Sequence, residues 1–113
     1  MEPTVDNIEQ AHIEALEAAQ KAAQDSLDKH GELGCCGFAW VTIYDVKLST
    51  KLGKKLKALG FSKAYGGGIE YWNPSKSHVQ CLHTKELGAD AYAATMRRLF
   101  PNMKIYAGRR CPA

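Results

Sequence analysis

The chain has 113 residues, 45% hydrophobic and 24% charged. These are the proportions of an ordinary folded domain, and they exclude a disordered, collagen-like or linker chain. No apolar run reaches the roughly 18 residues of a membrane span. Residues 1–30 carry acids from the start and lack the apolar core of a secretion signal, so the expected setting is the cytoplasm, with no membrane partner.

The net charge of +3 conceals a division. Residues 1–34 hold eight acids against Lys21 and Lys29, a net of −6, whereas residues 35–113 hold four acids against thirteen Lys and Arg, a net of +9. Such asymmetry points to a basic body that meets an anion, and to an acidic segment that shields, self-associates or pairs with the body. The expected organisation is therefore an acidic N-terminal helix over 1–34, acting as a dimerisation or partner arm, and a basic α+β domain over 35–113.

Residues 4–30 predict one long helix, rich in Ala, Glu, Gln and Lys and free of internal Gly and Pro. Asp6 and Glu9 have capping-box spacing, and Gly31 stands as a stop. Val5, Ile8, His12, Ala15, Leu16, Ala19, Ala22, Ala23 and Leu27 form one stripe. At roughly 39 Å the helix would exceed a body about 30 Å across. It is expected to overhang, or to pack on a second copy as a homodimer.

Residues 36–44 are the clearest strand, β-branched and aromatic. A short helix follows over 49–59, with Leu52, Leu56 and Leu59 inward and Gly60 as its stop. Strands over 61–65 and 69–72 flank the hairpin signal Gly66-Gly67-Gly68, and 73–75 is a turn. A third helix covers 84–99, with Tyr92, Met96 and Leu99 inward and Pro101 beyond its end. A last strand covers 103–107. The expected fold is α+β: a long N-terminal helix, then a βαββαβ ferredoxin-like antiparallel sheet with helices on one face.

The basic run Lys47, Lys51, Lys54, Lys55, Lys57, Lys63 has no acid between Asp45 and Glu70. Thr50 opens the short helix, whose free N–H groups would suit a phosphate with Lys51 and Lys54 nearby; the plain alternative is a solvated lysine face. The chain has no Walker-type glycine loop. Tyr65, Tyr71, Trp72 and Tyr106 would stack bases if they face away from the helices, and would otherwise be core. Asn73 follows in the turn. Arg109 and Arg110 could clasp a phosphate or carboxylate, or form a solubilising tail. The expected ligand-binding set is Thr50, Lys51, Lys54, Tyr71, Trp72, Asn73 and Arg109.

Cys35, Cys36, Cys81 and Cys111, with His78 and His83, invite a zinc reading, but no Cys-x-x-Cys spacing supports it; plain thiols are expected, with no metal or cofactor. His12 reads as a core or interface residue. Cys81 with His78 or His83 has no diagnostic nucleophile–base spacing, and Glu70 and Glu86 are isolated. The balance leans against an enzyme.

Several stretches resemble a family of small uncharacterised proteins of tailed bacteriophages: Cys36-Gly37-Phe38-Ala39-Trp40-Val41, Thr50-Lys51-Leu52-Gly53-Lys54, Gly60-Phe61, Trp72-Asn73-Pro74-Ser75, Gly88-Ala89 and Tyr106-Ala107-Gly108. Where similar proteins often carry a histidine-rich loop, this chain reads Asp45-Val46-Lys47-Leu48-Ser49, and no role of that histidine carries over. The resemblance implies a phage product acting in the cytoplasm of a host bacterium. Joined to the charge pattern, it gives the expected function: a non-catalytic protein that captures or inhibits an anionic host target. That target would be a signalling nucleotide or a defence or metabolic complex. The alternative is a small nucleic-acid-binding protein using a basic, aromatic sheet face.

Overall fold

The computed structural model describes residues 3–30, 38–44, 46–64, 67–72, 74 and 82–110. Its elements, in chain order, are α1 (Ile8–His30), β1 (Phe38–Ile43), α2 (Lys51–Ala58), β2 (Ser62–Lys63), β3 (Ile69–Trp72), α3 (Leu82–Leu99) and β4 (Ile105–Arg110). Every expected element is present. Gly31, Tyr65 and Gly66 lie outside the described residues.

The cap of α1 differs from the expected Asp6–Glu9 pair. The Asn7 N–H donates to Thr4 Oγ1 at 3.3 Å, and the Thr4 N–H donates to Asn7 Oδ1 at 2.7 Å. The Thr4 carbonyl takes the first helical bond, from Ile8 N–H at 3.0 Å, and that makes Thr4 the capping position. Val5, expected inward, is exposed in the first turn after that cap.

The alanine stripe is buried within the chain. Ile8, Ala11, Ala15 and Ala19 join Ala89, Tyr92, Ala93 and Met96 of α3 in one core cluster. Alanines on both helices let the backbones approach closely, since interaxial distance follows side-chain size. The 23 residues of α1 span about 34 Å, along the molecule's longest dimension of 40 Å. Acidic helix and basic body also meet through Glu9–Lys55 at 3.0 Å and Glu14–Arg98 at 3.9 Å. Such exposed pairs contribute under about 1 kcal/mol each.

The four strands form one antiparallel sheet in the order β2-β3-β1-β4. Ala39, Val41, Ile43, Ile69, Tyr71 and Ile105 alternate along their strands and enter the core with Leu56 of α2. The register sets Trp40 opposite both Trp72 and Gly108, and Thr42 opposite both Glu70 and Tyr106. The last strand runs further than expected, so Arg109 and Arg110 belong to the sheet and not to a tail.

Two local devices fix α2. Its end is a Schellman turn: Gly60 N–H donates to the Lys57 carbonyl and Phe61 N–H to the Leu56 carbonyl, with Gly60 at φ 116°, a conformation glycine adopts without strain. At its start the chain folds back so tightly that a Cβ on Gly53 would collide with the Lys47 carbonyl oxygen.

Candidate functional site

Core residues of the strands leave the opposite parity for the other side of the sheet. Trp40, Thr42, Glu70, Trp72, Tyr106 and Gly108 share that face, with Tyr44 just past the end of β1. Trp72 is 46% exposed, Tyr106 54% and Tyr44 43%. Large rings left in water on a sheet mark an interaction surface more than a packing one.

The rings are held in place. Trp40 and Trp72 lie with centroids 4.8 Å apart and planes tilted by 33°. The Trp40 indole covers Gly108 closely enough that a Cβ there would come within 2.6 Å of it. The Trp72 Nε1–H donates to Glu70 Oε1 at 2.7 Å, a charge-assisted bond that orients the indole and partly answers the carboxylate charge. Tyr44 and Tyr106 form a second pair, 6.0 Å between centroids. One sheet face thus carries a tryptophan pair and a tyrosine pair, with Thr42 between them in the register.

Of the basic residues near the ends of the sheet, Lys104 shares this face, opposite Tyr44, whereas Lys63 stands opposite core Ile69 and Arg109 opposite core Ala39, on the helical side. Lys63 ends β2 and Lys104 precedes β4, at the end where Ile43, Ile69 and Ile105 pair. A shallow pocket of about 290 Å³ opens there, lined by Lys47 and Lys63 with Val46, Leu48 and Ile69. At the other end Arg109 reaches Glu86 at 3.3 Å with most of its side chain exposed.

The seven residues expected to bind ligand do not converge. The Thr50 hydroxyl is used locally, accepting from Gly53 N–H at 3.0 Å and donating to the Lys47 carbonyl at 2.7 Å. Lys51 and Lys54 are exposed on α2. Tyr71 is corrected outright: it is 6% exposed and lies in the core, because neighbours on a strand point to opposite faces and Trp72 takes the open one. Asn73 lies outside the described residues, as do Cys35, Cys36, Cys81, Cys111, His78 and the side chain of His83. Trp72 remains, joined by residues outside the expected set: Trp40, Tyr44, Glu70, Tyr106 and Gly108. The signal for their side was Glu70, whose parity excludes the core and carries Trp72 with it.

His12 is a core residue, 4% exposed. Its Nδ1 lies 2.6 Å from the Tyr92 hydroxyl, and its ring meets Phe61, Tyr71 and Tyr92 edge-on. Burial, and then the neighbouring Tyr71, push the Tyr92 hydroxyl well above the usual tyrosine range. The phenol therefore stays neutral through the neutral pH range.

Comparison with protein-family models, curated proteins and solved structures found no match.

Proposed function

We propose that this chain is a non-catalytic binding protein that takes the bases of a single-stranded nucleic acid on the open face of its sheet. The observation carrying this reading is the Trp40–Trp72 and Tyr44–Tyr106 pairs on one face, with Trp72, Tyr44 and Tyr106 exposed. Every base has a π-face, so aromatic platforms bind single strands with little regard to sequence, at about 1–3 kcal/mol per stacked base. A strand of six residues is about 20 Å long, room for the two or three bases that sheet-based RNA readers stack. Lys104, opposite Tyr44 at one end of that face, would meet a phosphate.

The strand order and βαββαβ connectivity support a ferredoxin-like reading, with the helices gathered on the side away from the bases. The acids of α1 would then repel a polyanion from the helical side and favour approach to the sheet. The phage resemblance extends the proposal to a host bacterium's cytoplasm, where the target would be a nucleoprotein of a defence or metabolic complex. A second reading, capture of a signalling nucleotide, is favoured by the pocket between Lys47 and Lys63.

Tryptophan fluorescence during titration with a single-stranded oligonucleotide, and separately with a mononucleotide, tests both. Oligonucleotide quenching whose affinity falls steeply between about 50 and 200 mM salt is the expected result. Quenching by the mononucleotide alone favours the second reading, and none by either rejects both.

A further inference from the structure

We propose that the outer edge of β4 pairs antiparallel with β4 of a second copy of this chain, so that each aromatic face is completed by the partner's Tyr106.

The argument begins with the hydrogen-bond phase of the β1–β4 ladder. Tyr44 N–H donates to the Lys104 carbonyl at 2.8 Å, which makes 44 and 104 a hydrogen-bonded pair. In an antiparallel ladder such pairs recur at every second residue, so 42/106 and 40/108 are the next ones in the register. Ile105, Ala107 and Arg109 therefore direct their N–H and C=O groups away from β1. Among the described residues β4 ends the sheet order and is an edge strand. Among the described residues the one hydrogen bond given to this outward row is Arg97 Nη1 to the Ile105 carbonyl, at 2.8 Å. Ala107 is exposed. A six-residue edge without proline or an inward charge at its centre is a template for another strand.

The row is self-complementary. With a two-fold axis at Ala107, that residue exchanges both bonds with the partner's Ala107, and Ile105 does so with the partner's Arg109. Six backbone bonds form in a closed, isologous pair, and the Ile105 carbonyl has a second lone pair to receive its new donor. The helices fit as well. Glu86 touches Arg109 and Arg97 touches Ile105, so α3 runs antiparallel to β4. Since α3 packs on both β1 and β4, it sits about half a strand spacing inside the edge. Two such helices would lie about 10 Å apart, an ordinary packing distance. On the helices the Glu86 and Asp90 half of one α3 faces the partner's Arg97 half, with exposed Ala94 near the axis, which offsets the like charges the register sets opposite each other at Lys104 and the partner's Arg110.

This pairing deepens the base-binding proposal and, for its functional consequence, rests on it. The same register sets Tyr106 opposite the partner's Gly108, beside the indole that covers that glycine. Separate aromatic pairs become one row crossing the axis. The dimer does not use the apolar stripe of α1, which is already buried.

Sedimentation of the full chain in nucleic-acid-free buffer tests the pairing. Twice the chain mass is expected, with amide exchange at Ile105, Ala107 and Arg109 slowing as concentration rises. Ala107→Pro removes an outward N–H and no bond to β1, so the fold should persist by circular dichroism while the mass halves. A monomeric chain, a dimer that survives Ala107→Pro, or fast exchange at those three amides in a dimer would each overturn the proposal. A dimer that binds no oligonucleotide would leave this pairing standing and reject the base-binding reading alone.

Discussion

The Nδ1 of His12 and the hydroxyl of Tyr92 meet at 2.6 Å across 80 positions of sequence, with both rings buried. The bond ties α1 to α3 at the place where Phe61 and Tyr71 also close on the imidazole. Tyr92→Phe keeps the ring and withdraws the partner from a buried nitrogen. The expected cost is about 1–3 kcal/mol, read as a lower urea midpoint with an unchanged slope. An unaltered midpoint would show that the bond contributes nothing to stability.

Tyr92 also sets an alkaline limit. Burial and Tyr71 raise its folded pKa above the unfolded value near 10. The native state therefore holds the proton that the unfolded chain releases. This contribution is fully present below pH about 10 and is lost as pH rises above it, toward the raised folded value. Urea midpoints compared between about pH 9 and 11 should fall less steeply in Tyr92→Phe than in the native chain, with the lysines common to both.

Gly53→Ala should reverse the usual rule for helices. An alanine replacing glycine ordinarily gains about 1 kcal/mol. Here its Cβ would strike the Lys47 carbonyl oxygen, a backbone atom with no rotamer to escape into. A loss of about 1–3 kcal/mol is expected, visible as a lower melting temperature; a rise would mean the 46–48 segment yields freely.

Trp72→Ala and Tyr106→Ala should separate binding from folding. Both side chains are about half exposed, and each has an aromatic neighbour across the strands, so a modest loss of about 0.5–1.5 kcal/mol is expected with the fold intact. Each should weaken oligonucleotide binding by about 5- to 150-fold, the equivalent of one stacked base. Lys51→Ala with Lys54→Ala should leave the salt dependence of binding unchanged, because α2 packs against α1 and sends Leu56 into the core.

What the sequence disclosed was mainly local. Glycine at 60 and the pair at 67 and 68 reach positive φ where a stop and a hairpin were expected, because those conformations are decided by one residue's sterics. The partner of the α1 stripe was hidden, since its match is Ala89 and Ala93, more than sixty residues away, and small side chains carry no periodic signal strong enough to name a counterpart. Tyr71 and Trp72 are neighbours in sequence, but a strand separates neighbours by face. Nothing in the sequence sets Trp40 apart from the other apolar residues of the strand expected over 36–44, and only the register reveals that it lies opposite both Trp72 and Gly108.

The contact between Trp40 and Gly108 also reaches beyond this one molecule. A side chain at 108 needs the volume the indole fills, so the two positions cannot vary independently. A descendant that acquires even alanine at 108 must tilt or surrender the ring at 40, and Trp72 would lose its stacking neighbour in the same event. The platform would then vanish as a unit and not erode ring by ring. Glycine at 108 alongside tryptophan at 40 is accordingly the two-letter mark by which relatives retaining this surface could be told from those that have abandoned it.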